Sequence, residues 1–373
     1  MTTVSLPQIP RTDLLTHSRL STFRTCRRRH MFRYTQGLVS TGTRRPLRLG
    51  SAFHLGLELA AKGTEPEAAI TQAVETCFDK PPADPEQLYL CECDREVVIQ
   101  MLRGYFWRWW TVDELPPELT IQSWVAVERE FEIPLRNPES GRSTSNFKMG
   151  GKIDGIARLA DGQLAVVEHK TTAQNIEPES DYWRTLDIDP QISGYYIAAR
   201  DLGFNVTTVL YDVARKPTIQ PGMVAVKDDD DLPIVIDDAT GERAFKKDGT
   251  PYKSAGAGRT ALRRAETPQE FAERFRKQMS DDPLRFFQRR QIPRLESDLD
   301  DYRAELWQTQ QDLRQCEREN RWWRNTQVCK LPFPCDYAPI CATHQPDSAV
   351  PSGFRRTEQL HPELNGDQDA SEG

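Results

Sequence analysis

Two short stretches constrain the fold of this chain more than anything else in it: Gly150-Gly151-Lys152-Ile153-Asp154-Gly155 and Ala165-Val166-Val167-Glu168-His169-Lys170. Ile153 to Leu159 alternates loosely, Asp161-Gly162 is a turn pair, and Leu164 to Val167 is a short apolar run, so the spacing predicts a β-hairpin. Side chains two apart on a strand share a face, so Glu168 and Lys170 point one way and His169 the other. A hairpin that sets Asp154 beside Glu168 gathers two carboxylates and one amine at a point. Hard oxygen ligands of that kind hold Mg²⁺ or Mn²⁺, and a nearby ammonium stabilises or activates an attacking water. This is equipment for metal-assisted phosphodiester hydrolysis. The plainer reading is an ordinary Asp-Gly turn followed by a solvated Glu-x-Lys pair. Val166 and Val167, apolar right up to Glu168, favour a core strand that delivers its acid to a cleft. Downstream, Pro190 to Ala198 reads as a helix with Gln191 and Tyr195 four apart on one face.

Taken in order, these motifs resemble the PD-(D/E)XK nucleases of the RecB-type branch, which includes CRISPR-adaptation exonucleases and the nuclease domains of helicase–nuclease complexes. That branch carries a His in a small-residue helix, a G-x-x-D strand, a (D/E)-x-K strand and a Q-x-x-x-Y helix. The counterparts here are His54 in Leu49-Gly50-Ser51-Ala52-Phe53-His54, then Asp154, Glu168 with Lys170, and Gln191 with Tyr195. The match runs roughly from Arg19 to Tyr211, with a cysteine segment near the C-terminus, and Glu168 replaces the commoner Asp. The resemblance implies an α/β core, a mixed central sheet flanked by helices as in restriction endonucleases. It implies a divalent cation on His54, Asp154, Glu168 and the backbone carbonyl of His169. Lys170 then orients or activates water, and Gln191 and Tyr195 steady Lys170 or the DNA backbone. By itself His54 reads as a packed or capping histidine, although Gly50-Ser51-Ala52 lets its helix approach the sheet closely.

Eight cysteines carry the second signal. With no apolar leader or membrane-length run, a cytoplasmic location is expected, where spaced cysteines point to a metal site rather than disulfides. Cys329, Cys335 and Cys341 are separated by five residues each time, among prolines, and a closed four-thiolate site needs one more. The segment Ser21 to Tyr34 resembles the N-terminal cysteine segment of the iron–sulfur members of the same branch, with Arg27 where Pro often stands. The resemblance implies that Cys26 joins Cys329, Cys335 and Cys341 around a [4Fe–4S] cluster, with zinc or no metal as alternatives. Cys91 and Cys93 read as incidental and Cys77 as a packing residue.

Formal charge is −7, yet the first 48 residues hold ten arginines and one acid. Interleaved with Phe23, Phe32 and Tyr34, the arginines, Arg27, Arg28 and Arg29 above all, are expected to contact DNA, single-stranded or with a free end; a solvated arm is the alternative. The expected organisation is a basic and helical region at 1–125, a nuclease core at 126–219, an inserted loop or hairpin at 220–262, C-terminal helices with the three cysteines at 263–345, and a disordered tail at 346–373. Glu128 and Glu130 read as one solvated face of a strand, with a second metal contact as the alternative, Tyr105 to Trp110 as packing aromatics, with base stacking as the alternative, and Glu296 to Asn320 as a surface helix packed by Trp307. No phosphate-binding glycine loop is present, so any helicase or recombination partner is a separate chain. The function expected is a metal-dependent DNA exonuclease serving repair, recombination or phage DNA processing. The rival is an inactive DNA-binding or recruitment subunit stabilised by a four-cysteine site; intact Asp, Glu and Lys argue against it.

Overall fold

A computed structural model of the protein describes residues 13–41, 45–112, 114–330, 334–343 and 350–364. Its strands are β1 (Leu14–Leu15), β2 (Leu38–Ser40), β3 (Ile121–Arg136), β4 (Ser143–Leu159), β5 (Leu164–Thr172), β6 (Thr208–Arg215), β7 (Met223–Ala225), β8 (Val235–Asp237), β9 (Arg259–Ala261), β10 (Arg263–Ala265), β11 (Phe287–Ile292) and β12 (Phe354–Arg356). The helices are α1 (His17–Thr25), α2 (Arg27–His30), α3 (Arg45–Ala61), α4 (Pro66–Cys77), α5 (Pro85–Phe106), α6 (Asp181–Arg184), α7 (Pro190–Asp201), α8 (Pro268–Asp281), α9 (Glu296–Glu319) and α10 (Ala338–Ala342).

Local chemistry sets many of these boundaries. α4, α5, α7 and α8 each begin with proline after a capping residue (Glu65, Asp84, Asp189 and Thr267), whose side-chain oxygen accepts from the first turn. The hairpin turns where the sequence indicates: Gly162 has φ of 89° between β4 and β5, a conformation costly for any side chain with a Cβ. β4 itself starts at Ser143, ten residues before the alternation becomes visible, because β3 pairs along most of its length.

The central sheet runs β1-β4-β5-β6-β11, with β3 also paired to β4. It is mixed: β5 and β6 are parallel, as are β1 and β4, and the other pairs are antiparallel. The sheet therefore reaches beyond the expected core at 126–219, drawing β1 from the N-terminal region and β11 from the C-terminal one. One face is covered by α1, α7 and α9, burying Phe23, Ile192, Tyr196, Leu299, Leu306 and Leu313 against Ile153, Val166 and Val209. Leu299, Tyr302, Leu306 and Leu313 seat α9, while Trp307 is only half-buried, so the expected anchor is corrected. The other face meets α3, α4, α5 and α8, where Phe53, Met101, Tyr105 and Phe275 pack with Ala214 and Phe287 of the sheet. β6, flanked on both sides, is buried from Thr208 to Ala214, as an inner strand must be.

Residues 223–265 carry two small two-stranded sheets, β7 with β10 and β8 with β9. The expected disordered tail is corrected over residues 350–364. There β12 pairs with β2, Thr357 N donates to Gly37 O at 2.8 Å, and Leu360 and His361 are buried. Low apolar content did not prevent this, since an exposed strand edge and a few anchors suffice for a segment of that length.

Candidate active site

The edge of β4 that faces β5 is used twice. β1 pairs with it at Lys148 and Met149, and β5 pairs with it from Gly155 onward, where Gly155 faces Val167. Between these contacts β4 and β5 diverge, and Asp154 and Glu168 stand at the fork. A carboxylate spans it: Asp154 Oδ2 accepts from the backbone N–H of His169 at 2.9 Å. Glycines make the fork possible. A Cβ on Gly155 would collide with the Trp124 ring, and one on Gly150 with Leu14.

Glu168 and Lys170 share a face, as strand periodicity requires, and form an ion pair. Glu168 is 2 % exposed, and its Oε2 is buried without a hydrogen-bond partner. Burial pushes its carboxyl up to about 8, against the pull of Lys170, and the charge of Asp154 adds to the rise. Burial pulls the Lys170 amine down, but Glu168 and Asp154 outweigh it, so the amine keeps its proton above the ordinary lysine range. His54, half-buried on α3, lies in the field of Asp154, Lys170 and His169; burial lowers its imidazole to about 4, so the ring is neutral near pH 7. Gln191 Nε2 donates to the Tyr195 hydroxyl at 3.0 Å on the first turns of α7, the one-face pairing expected from their spacing. Asp189, which caps α7, reaches the field of Lys170.

Behind the fork lies a network the sequence did not disclose. The His169 ring turns to the opposite face, where its Nδ1 is 3.2 Å from Asp212 Oδ2. Asp212 also accepts from the Tyr105 hydroxyl and, at 3.0 Å, from Arg289 Nε, and Arg289 reaches the Tyr105 hydroxyl at 2.8 Å. Burial would raise the Asp212 carboxyl, but Arg289 and His169 hold it below the usual range. These groups fix the backbone of His169 and so the amide that holds Asp154. An acid inside the apolar run of β6 was the one signal available; its partners lie on α5, β5 and β11. Glu128 is a second correction. It stands at φ of 52° on β3, paired with Lys152, and burial with the nearby Asp154 pushes its carboxyl up to about 7, so it belongs to the rim of the site and not to a solvated face.

Cys26, Cys329, Cys335 and Cys341 line one hollow with Arg28, Arg29 and Phe32. The fourth thiol thus comes from the α1–α2 junction, against the C-terminal segment, where Asn325 Nδ2 donates to Thr25 O at 3.0 Å. The hollow has a volume of about 30 Å³, room for about one water molecule. Among the described residues no three His, Cys, Asp or Glu side chains stand at the spacing of a ready-made metal site. A four-thiolate centre therefore requires these thiols to turn or spread. Cys93 is buried in the α5 core, Cys77 packs at its margin, and Cys91 Sγ accepts from Arg48 Nη1 at 2.8 Å.

The expected DNA-contacting arginines are held more tightly than a free arm would be. Arg27 is 3.8 Å from Asp312 and lies over the rings of Phe23 and Trp323 at 4.6 and 4.3 Å. Arg28 Nη1 sits 3.9 Å from Met31 Sδ, and Arg29 lines the cysteine hollow. Trp109 is buried with the Arg289 guanidinium 4.2 Å from its ring centre, whereas Trp107 and Trp110 are about half exposed, so only part of that aromatic cluster is core. No described helix is long and apolar enough to cross a membrane.

A search of curated proteins finds no match to this chain. The family model of the PD-(D/E)XK nuclease superfamily matches residues 14–342, a span that takes in β1, the fork, both covering layers and all four clustered cysteines. With the fork, its two acids and its lysine in place, the chain belongs to the PD-(D/E)XK nuclease superfamily.

Proposed function

We propose that the protein is a divalent-metal-dependent DNA nuclease that hydrolyses phosphodiester bonds at the β4–β5 fork. One observation carries the reading: a buried Glu168 oxygen without a partner beside Asp154 and a protonated Lys170. An orphaned buried carboxylate oxygen is costly unless a cation or donor completes it. The donor set of hard oxygens and a neutral imidazole suits Mg²⁺ or Mn²⁺. Asp154, Glu168, His54 and the backbone carbonyl of His169 would hold the ion, the three side chains drawing together to do so, since as they stand they are not at the spacing of a ready-made metal site. Once bound, it supplies Lewis-acid polarisation of the phosphate and lowers the pKa of a bound water.

The chain's own groups do the rest. Lys170, charged at neutral pH, acts as a donor and not a base: it orients the water and offsets charge on the phosphorane-like transition state. It leaves its contact with the Glu168 carboxyl to do so. Gln191 and Tyr195, locked to each other, border the amine's side of the sheet. Asp212, Arg289 and Tyr105 hold His169 so that its amide keeps the Asp154 carboxylate aimed across the fork.

Finer features rest on the resemblance: an exonuclease mode on single-stranded or free-ended DNA, service in repair, recombination or phage DNA processing, and a [4Fe–4S] cluster on Cys26, Cys329, Cys335 and Cys341. Product analysis on end-labelled single- and double-stranded DNA with Mg²⁺ or Mn²⁺ tests the first two. Processive loss of nucleotides from an end is expected. Internal cuts would replace the exonuclease by an endonuclease, and no cleavage with either ion would leave the inactive DNA-binding subunit.

A further inference from the structure

Beside the fork lies a second cavity, of about 290 Å³, lined by His17, Ser21 and Arg24 of α1, Pro190 of α7 and Tyr302 of α9. Pro190, which lines the cavity, directly precedes Gln191 on α7, so the cavity opens at the same helix start as the Gln191–Tyr195 pair. Arg24 is incompletely used by the protein. Its Nε donates to Thr309 Oγ1 at 3.1 Å, and its Nη1 is 3.6 Å from the largely exposed carboxylate of Glu305. Its Nη2 is buried and has no hydrogen-bond partner. A guanidinium offers five N–H groups in a planar fork that matches phosphate, and an exposed carboxylate beyond hydrogen-bond distance neutralises it only weakly. Ser21, exposed at the rim, adds a hydroxyl donor, and the His17 ring a further one. The volume lies just under the range for whole drug-sized ligands, so it suits one phosphate with part of its sugar.

We propose that this cavity is a phosphate subsite: Arg24, with Ser21 and His17, binds the backbone or terminal phosphate of the DNA strand next to the scissile bond. The proposal rests on the nuclease reading for its substrate, but not for the existence of the site. It also moves the main phosphate contact of the arginine-rich region from Arg27, Arg28 and Arg29 to Arg24, which lines the cavity.

The test uses the full chain and two readouts. Calorimetry in chelator with thymidine 3′,5′-bisphosphate as probe should show binding that weakens about tenfold in Arg24→Gln and is lost in Ser21→Glu, while Arg24→Lys retains part of it. Ser21→Glu alters only an exposed side chain, so its effect does not depend on the packing of α1. In cleavage assays Arg24→Gln should raise KM about tenfold with kcat within about twofold, since the subsite binds ground and transition states alike. Substrates with a 5′-phosphate, a 3′-phosphate or neither decide whether the phosphate is terminal or internal. Equal bisphosphate affinity in wild type, Arg24→Gln and Ser21→Glu overturns the subsite. Wild-type protein that binds the bisphosphate through Arg24 yet cleaves nothing overturns the nuclease reading and leaves the subsite standing.

Discussion

Glu168 is the residue on which the chemistry turns, and its burial makes a two-part prediction. Glu168→Ala and Lys170→Ala should each reduce cleavage by about a hundredfold or more, because a metal ligand or its charged partner supports several kcal/mol of transition-state stabilisation. DNA retention in a gel-shift assay should survive both; normal rates in either variant remove the assignment. The second part concerns pH. A free glutamate titrates at 4.5, but Glu168 in the fold holds its proton to about 8. Across that interval the folded chain binds a proton the unfolded chain has lost, so metal-free stability falls as pH rises. His54, held at about 4 against 6.5, has the opposite sign below 6.5, while Glu128, raised to about 7, and His169, raised above 6.5, add to the fall, so the part of the drop that belongs to Glu168 is the part its substitution removes. In chelator, Tm should drop between pH 6.5 and 8, and Glu168→Gln should flatten that drop. Cation binding must expel the same proton, so Mn²⁺ affinity should climb with pH toward 8; a flat Mn²⁺ profile would show that Glu168 is already ionised.

At the scale of elements, the fork depends on close approach of β3 to β4 at Gly155, where the Trp124 ring occupies the space of a side chain. Gly155→Ala should cost about 1–3 kcal/mol by overpacking and should move Asp154, one residue away, out of register with Glu168. Thermal melts and cleavage rates check this together, and adding Trp124→Leu should recover both in part. Stability loss without activity loss would mean that Asp154 is held independently of the fork. The α1–α9 contact makes a different point about the arginines. Arg19, Arg24 and Arg27 each meet an acid of α9, Glu317, Glu305 and Asp312. A run that reads as a basic arm is partly neutralised by a helix some three hundred residues later. Arg27→Gln should therefore lower Tm through lost stacking on Phe23 and Trp323. It should leave the slope of log affinity against log salt within about half a unit of wild type, less than the roughly 0.7 expected for one phosphate contact on a single strand.

For the molecule as a whole, both ends of the described chain return to one place. β2 pairs with β12, the Tyr337 hydroxyl donates to Leu38 O at 2.8 Å, and Cys26 meets the segment that carries Cys329, Cys335 and Cys341. Closing so long a loop costs entropy that grows slowly with length, and metal–thiolate bonds turn binding energy into folding energy. If these thiols carry the proposed cluster, anaerobically purified protein should be brown, with broad absorbance near ~400 nm that bleaches on reduction. Cys26→Ala should lose the colour and several degrees of Tm as fully as Cys335→Ala, with Cys77→Ala unaffected. Stoichiometric zinc without iron would replace the cluster by a zinc staple; colourless, metal-free protein with unchanged Tm in Cys26→Ala would remove both.

What the sequence determined by itself was local. Strand alternation put Glu168 and Lys170 on one face, the Asp161-Gly162 turn set the hairpin, cap-proline pairs started four helices, and i, i+4 spacing joined Gln191 to Tyr195. Each depends on backbone geometry within a few residues, and motif order then sufficed to reach the family. Tertiary structure alone decided the rest. β1 and β5 share one edge of β4 and so open the fork; Asp212 finds Arg289 and Tyr105 behind it; α9 claims the N-terminal arginines; β12 orders part of a polar tail. All of these are choices among distant partners, set by burial and by the need to satisfy charges and strand edges, and no spacing along the chain encodes which partner prevails.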